Sequence, residues 1–175
     1  EGLAKKTYGG AVRNDSLNVD LPYTIRKQTN VESKKYIAEL IGRFIEDGDH
    51  IFLDSSTTAL FTAKSIYTKT NLTLITNSVE MLMDANAKTD WKIISTGGDY
   101  VPTSLSLTGL RAEEGITSYP ADIAVISCKG IDMEKGLTDT SDQNAQIKKA
   151  FIRIGRRTNI RKDHGKRDQI KAEIR

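Results

Sequence analysis

Five consecutive residues, Asp54, Ser55, Ser56, Thr57 and Thr58, stand between a short apolar run and a segment with helical spacing. If the run is a strand and the segment a helix, these residues form the helix N-terminus. Unpaired backbone N–H groups and a partial positive charge at that end favour an anion. Capping needs only one hydroxyl residue, so four in a row favour a phosphate site over a simple cap. The turn lacks the glycine and lysine of a Walker A loop.

Three later apolar runs are also followed by small, hydroxylated or charged residues. These residues are Asn77 and Ser78, then Gly97, Gly98 and Tyr100, then Lys129, Gly130 and Asp132. Ligands of open α/β sheets bind at the carboxyl ends of the strands, so we expect these groups to converge on one edge. Lys149, on a later helix, is a candidate counter-charge for the phosphate.

Each of these residues also has a plainer interpretation. Asn77 suits a helix cap, and the two glycines at 97 and 98 suit a turn. Lys129 and Asp132 could form a surface ion pair, and Lys149 could be solvated. Their position after strands favours ligand contacts for the pair.

Cysteine and histidine chemistry is sparse in this chain. Cys128 is interpreted as a packing residue, since no histidine lies near it in sequence. The two histidines, His50 and His164, form no cluster with metal-ligand spacing, and His50 is expected to be structural. We therefore expect no metal and no cofactor. A single cysteine, no secretory signal and no membrane-length apolar run predict a cytoplasmic protein without a membrane partner.

Composition is that of one ordinary domain, with 175 residues, 38% hydrophobic residues and a net charge of +3. Basic residues concentrate in 148–175. Aromatic residues hardly interleave with them, which favours a solvated helix face and a basic tail over a nucleic-acid surface.

Apolar periodicity supplies the elements that must position these residues. Helical spacing predicts helices over 31–46, 57–67, 77–87, 105–116 and 141–155. Apolar runs predict strands at 51–53, 72–76, 91–95 and 122–127. Their alternation predicts an α/β fold, a Rossmann-like and mostly parallel sheet with helices on both faces. Residues 1–30 are interpreted as an N-terminal arm, and 31–175 as the single domain.

The motifs taken together resemble the C-terminal sensor domain of DeoR-family transcriptional regulators. They are YGGAV at 8–12, DGD at 47–49, DSSTT at 54–58, LITNS at 74–78, TGGDY at 96–100, SLTG at 106–109, CKGID at 128–132 and GLT at 136–138. Each motif alone is weak, but their order and spacing are specific. The resemblance covers roughly residues 8–166.

The resemblance implies a fold related to ribose-5-phosphate isomerase, the glucosamine-phosphate deaminases and the CoA-transferases. It implies an oligomeric, DNA-binding repressor of sugar metabolism whose sensor domain binds a phosphorylated sugar without turnover. It places the phosphate on residues 54–58 and the sugar on Asn77, Gly97, Gly98, Lys129, Asp132 and Lys149. No helix-turn-helix precedes Tyr8, so we expect an excised sensor domain that contacts DNA only through that missing part, with 1–30 as the linker.

The sequence departs from the family pattern near its end. An apolar strand and an Asp-His-Ser-Lys-Phe-like motif are replaced by NIRKDHGKR at 159–167. A charged strand is hard to bury, so it is predicted either to lie at a sheet edge or to be altered. Asp163 and Lys166 are therefore the weakest site candidates.

Two other functions compete with the sensor. A sugar-phosphate isomerase or deaminase-like enzyme would use Asp132 as proton acceptor, but no second carboxylate is clearly paired with it. A DNA-binding module would use the basic tail. The ordered family match favours the sensor.

Overall fold

The computed structural model describes residues 4–8, 10–13, 21–86, 89–132, 136–139 and 141–161. Its elements in chain order are β1 Ala4–Thr7, β2 Gly10–Arg13, α1 Tyr23–Gln28, α2 Val31–Gly42, β3 His50–Leu53, α3 Thr57–Ser65, β4 Thr73–Thr76, α4 Val79–Asn86, β5 Lys92–Ser95, β6 Asp99–Val101, β7 Ser106–Thr108, α5 Leu110–Thr117, β8 Ala121–Ser127, β9 Gly130–Asp132, β10 Gly136–Thr138, α6 Asp142–Ile154 and β11 Gly155–Arg161. None of the helices in these ranges is both long and apolar enough to cross a membrane.

A five-stranded parallel sheet in the order β11–β8–β3–β4–β5 organises the chain. Alternate side chains of β3 enter two separate cores: Ile51 and Leu53 on one face, Phe52 on the other. Helices α2, α3 and α4 cover the first face, and α5 and α6 cover the second. The predicted α/β fold with helices on both faces is therefore confirmed.

Three two-stranded antiparallel pairs accompany the sheet: β1–β2, β6–β7 and β9–β10. The β6–β7 pair accounts for an error in the sequence prediction, which placed one helix over 105–116. The first part of that segment is β7, which is reached through Leu105 at a φ of 49°. Gly109, at a φ of 87°, separates it from α5. The left-handed residues break the helical pattern where apolar spacing suggested continuity.

Strand β11 lies at the edge of the sheet and pairs with β8 alone among the described strands. For residues 159–161 this agrees with the first of the two expectations for the charged segment, and residues 162–167 lie outside the described part of the chain.

Helix α1 lies inside the segment that was interpreted as an arm. Tyr23 anchors it in the first core with 3% of its surface exposed. Burial raises the pKa of the Tyr23 phenol and the Glu80 carboxylate raises it further, so the side chain stays neutral. One buried aromatic residue in a polar stretch gives no period, which is why this helix escaped prediction.

Gly115 lets α5 pack directly on the backbone at the end of β5. A Cβ at this position would overlap the carbonyl group of Thr96. We expect Gly115→Ala to lower the free energy of unfolding by about 2 kcal/mol, because overpacking outweighs the better helix propensity of alanine. Urea denaturation measures the change. The neighbouring Glu114→Ala, at an exposed position, should stay within about 0.5 kcal/mol; wild-type stability of the glycine variant would contradict the close packing.

Candidate anion-binding site

A cavity of about 290 Å³ opens beyond the carboxyl ends of β3 and β8. The turn from β3 into α3 forms one part of its lining, and Ser127, Cys128 and Lys129 at the end of β8 form another. Further parts come from residues 21–34 and from the start of α6. The cavity thus sits where parallel α/β sheets bind their ligands.

The β3–α3 turn presents the N-terminus of α3 to this cavity, and residues 54–58 all line it. Ser56 is the N-cap: its Oγ accepts a hydrogen bond from the Ala59 N–H at 3.1 Å. Thr57 and Thr58 are the first residues of the helix and are almost fully buried. One hydroxyl therefore satisfies the cap, and the others remain beside the unpaired backbone amides of the first turn.

The buried side chain of Asp54 holds the β3–α3 turn through backbone hydrogen bonds. Its carboxylate is 2% exposed and accepts two backbone hydrogen bonds, from the Ser56 N–H at 3.0 Å and from the Ser127 N–H at 2.9 Å. The bond from Ser127 ties the end of β3 to the end of β8, the bond from Ser56 holds the turn, and both compensate the negative charge. A carboxylate held in this way positions the turn, and it would repel a phosphate that came close to it.

Positive side chains dominate the charge of the cavity. Among the described residues that line it, four are cationic, Arg26, Lys34, Lys129 and Lys148, and two are anionic, Asp54 and Asp139. Both carboxylates are engaged, since Lys148 forms an ion pair with Asp139. A hydroxyl-rich helix N-terminus within a cationic wall is suited to an anion.

Lys34 is the most buried of these cations, with 5% of its surface exposed. Its ammonium donates hydrogen bonds to the carbonyl oxygen of Arg26 at 2.7 Å and to that of Thr29. Both carbonyls lie at the end of α1, where a helix leaves carbonyl groups without intrahelical partners. A buried cation is costly unless dipoles or an anion compensate its charge.

Comparison with known proteins identifies the family. The family model described as the DeoR C terminal sensor domain matches residues 29–172. The chain belongs to the DeoR sensor-domain family. The resemblance found in the sequence is thereby confirmed.

Named relatives of this DeoR sensor domain are transcriptional regulators. The HTH-type transcriptional regulator YulB of Bacillus subtilis is 35% identical over 95% of this chain and 64% of its own length. The transcriptional repressor AccR of Agrobacterium fabrum is 34% identical over 94% of this chain and 64% of its own length. The glycerol-3-phosphate regulon repressor of Escherichia coli is 27% identical over 95% and 66%, respectively. The chain therefore spans less than two thirds of the length of these relatives.

Solved structures support the fold of the DeoR sensor domain. Ribose 5-phosphate isomerase A from Methanocaldococcus jannaschii superposes with a TM-score of 0.52 at 14% identity, over 75% of this chain and 52% of that one. At this identity the likeness concerns the fold alone, and it agrees with the fold that the resemblance implied.

Several residues predicted from the strand ends do not line the cavity of this DeoR sensor domain: Asn77, Ser78, Gly97, Gly98, Tyr100 and Gly130. The Asn77 amide is buried and donates to the Leu107 carbonyl at 3.0 Å, which joins the end of β4 to β7. The cap of α4 is Ser78, whose Oγ accepts the Met81 N–H at 3.3 Å. The plainer interpretation as a cap thus applies to Ser78 and not to Asn77.

The glycines predicted as ligand contacts differ in their surroundings: a Cβ would meet open space at Gly97, backbone at Gly98 and a side chain at Gly130. Gly97 and Gly98 have φ values of 69° and 106°, a region that disfavours other residues. A Cβ on Gly98 would overlap the Thr108 carbonyl, and one on Gly130 would crowd Thr138. Tyr100 is half-exposed on β6. Gly98 thus leaves room for β7, and Gly130 leaves room for β10.

Lys149, the predicted counter-charge, is not the lysine of α6 that lines the cavity. Lys149 is exposed and does not line the cavity, whereas Lys148 does. Successive helical residues differ by about 100° in direction, so neighbouring lysines face different surroundings. The side chain of Asp132, and the whole of Asp163 and Lys166, lie outside the described residues.

Cys128 and His50 were both expected to have structural roles. Cys128 packs against the second core, as predicted, and it also lines the cavity, which was not predicted. His50 is exposed, and its backbone N–H donates to Asp122 Oδ2 at 3.0 Å, in keeping with a structural role.

Sequence reasoning missed Arg26, Lys34, Lys148 and Asp139. A signal for Lys34 was present, because it shares an apolar stripe with Ala38 and Ile41, both fully buried. A lysine within such a stripe implies a buried partner for its charge.

Proposed function

We propose that this DeoR sensor domain binds a small phosphorylated sugar as the effector of a transcriptional repressor of sugar metabolism, without chemical turnover. The observation that carries the proposal is the hydroxyl-rich N-terminus of α3 in a cavity that four cationic side chains line. A cavity of about 290 Å³ is small for a ligand site, which suits a compact phosphorylated molecule.

The phosphate would lie against the first turn of α3. Backbone amides of the turn and the Ser55, Thr57 and Thr58 hydroxyls would donate to its oxygens, and Arg26 and Lys34 would neutralise its charge. Polar side chains further along the wall, such as Asn144, would face the sugar hydroxyls. The glycerol-3-phosphate regulon repressor of Escherichia coli is named for a regulon of a small phosphorylated polyol, which supports this class of ligand.

Binding without turnover is supported by the state of the described carboxylates in the cavity. A general base needs an available lone pair within reach of the substrate proton. Asp54 accepts two backbone hydrogen bonds, and Asp139 is paired with Lys148. The relatives are named as regulators rather than enzymes. Ketose formation from ribose 5-phosphate on incubation with the chain would contradict this part of the proposal.

DNA binding and assembly would be functions of a longer regulator that contains this domain, like the relatives of greater length. We propose that a helix-turn-helix part, as in the names of the HTH-type relatives, contacts DNA, and that copies of the regulator associate to match palindromic operators. On this view the domain reports the effector and does not itself bind an operator.

Cys128 offers a direct test, since it is the single cysteine of the chain and lines the cavity. Saturating glycerol 3-phosphate should slow its alkylation by iodoacetamide, a neutral reagent, by about tenfold or more, as the occupied cavity shields the thiol. The same ligand at 100 times its Kd should stabilise the fold by about 2.7 kcal/mol, visible as a rise in Tm.

Glycerol and ribose at equal concentration are the controls and should change neither signal. A panel that includes ribose 5-phosphate and glucose 6-phosphate then ranks the sugar. If no phosphorylated compound protects Cys128 or raises the Tm, the proposed function fails.

A further inference from the structure

One wall of the cavity is a separate segment, residues 21–30, here called the strap. Leu21, Arg26, Thr29 and Asn30 contribute to the lining from it. The strap makes no strand pairing in the described sheets. Its helix, α1, has six residues, too few to be stable on its own. The position of the strap therefore depends on its anchors.

Two contacts outside the cavity anchor the strap to the rest of the domain. Tyr23 enters the first core, and its N–H donates to the Thr103 carbonyl at 3.3 Å. Lys27 forms an ion pair with Glu80 at the start of α4. Neither Tyr23 nor Lys27 lines the cavity.

The third anchor is Lys34, which lies in the cavity wall itself. Its ammonium holds the Arg26 and Thr29 carbonyls at the end of α1. Arg26 belongs to the same wall: its Nε donates to the Leu21 carbonyl at 3.0 Å, and its guanidinium lies 5.5 Å from the centre of the Tyr23 ring. Two cations, one on the strap and one that holds it, thus face the same cavity.

We propose that the strap is a ligand-controlled element, which an anion in the cavity tightens against the domain. An anion in the cavity attracts the guanidinium of Arg26, which belongs to the strap, and the ammonium of Lys34, which holds the strap, so the bound state favours the closed strap. Linkage requires the reverse as well: a loosened strap weakens anion binding by the same factor. The inference rests on the proposed function, because it needs an anion in this cavity.

The position of the strap in the sequence indicates where a change in its order would be transmitted. Most of the strap precedes the region that the family model matches, 29–172. A change of order in the strap therefore carries the state of the cavity to the N-terminal side of the sensor domain.

Hydrogen exchange on the 175-residue chain tests the tightening, with inorganic phosphate as the probe. Exchange in a peptide that covers 21–30 should slow by about tenfold at saturation. The informative amides are those of Arg26 and Thr29, which donate to Pro22 and Ile25 within the strap. Unchanged exchange there, while phosphate protects Cys128, would overturn the strap and leave the proposed function standing.

Lys27→Ala tests the reverse coupling, because Lys27 anchors the strap without touching the cavity. It should weaken phosphate binding about two- to fivefold, the range expected for a partly exposed ion pair. Lys64→Ala is the matched control: Lys64 pairs with Asp84 at 3.5 Å, with side-chain exposures close to those of the Lys27–Glu80 pair, but outside the strap. Equal affinities of the two variants would contradict the coupling.

The two proposals fail differently. If phosphate and glycerol 3-phosphate both leave Cys128 alkylation and Tm unchanged, the proposed function is wrong and the strap falls with it. If they bind but exchange in 21–30 and the Lys27→Ala affinity do not respond, only the strap is wrong.

Discussion

Thr57→Glu is expected to abolish anion binding while the fold survives. Thr57 is the first residue of α3, 4% exposed, in the lining of the cavity. A carboxylate there would lie where the phosphate is expected. Two like charges at 4 Å repel by about 4 kcal/mol at an effective dielectric constant of 20, which predicts a loss of at least about 100-fold in affinity. Helix α3 tolerates the new charge because acidic residues are favourable at a helix N-terminus.

The control for this variant is Thr57→Gln, which adds the same bulk without the charge. It should bind glycerol 3-phosphate more tightly than Thr57→Glu, while circular dichroism shows the same fold for both. Alkylation of Cys128 measures the affinities. Unchanged ligand protection in the glutamate variant would rule out the phosphate assignment. Equal losses in the two variants would attribute the effect to bulk.

Asp54→Ala should cost about 3 kcal/mol of the free energy of unfolding. Removal of the carboxylate leaves the Ser56 and Ser127 N–H groups without their acceptor. A buried donor that loses its partner costs about 1–3 kcal/mol, and two are orphaned here. Urea denaturation measures the change, with Asp90→Ala as the control at an exposed position. A cost below about 1 kcal/mol would show that water replaces the carboxylate and that the β3–β8 tie is unimportant.

The same variant separates positioning from direct contact. If Asp54 only shapes the turn, Asp54→Ala should bind glycerol 3-phosphate more weakly at a temperature where it is still folded. Direct contact between the carboxylate and the phosphate would be repulsive, and its removal would strengthen binding.

The sheet could be predicted from the sequence because each of its central strands contains a short apolar run. Ile51, Phe52 and Leu53 are all fully buried. An uninterrupted apolar run of this kind is typical of a parallel strand covered on both faces. The strand-to-helix turn at 54–58 followed from the same logic, since hydroxyl residues between an apolar run and a helical segment indicate a helix N-terminus.

The rest of the cavity could not be predicted because tertiary contacts decide it. Whether Lys148 or Lys149 faces inward depends on the rotational phase of α6, and one residue changes that phase by about 100°. The strap contributes Arg26 through a short polar helix that has no apolar period. Asn77 and Gly98 follow their strands as predicted, yet the Asn77 side-chain N–H donates to the Leu107 carbonyl of β7, and the Thr108 carbonyl fills the space beside Gly98.

Strand β11 ends the sheet with a sequence that contains Arg156, Arg157 and Arg161. An open strand edge is a template for pairing with a second chain, and positive charges along it discourage such pairing because two copies would bring like charges together. We expect the charge of this strand to disfavour edge-to-edge pairing through β11. The charge acts on this edge alone, because β5 forms the opposite edge of the sheet and carries a different sequence.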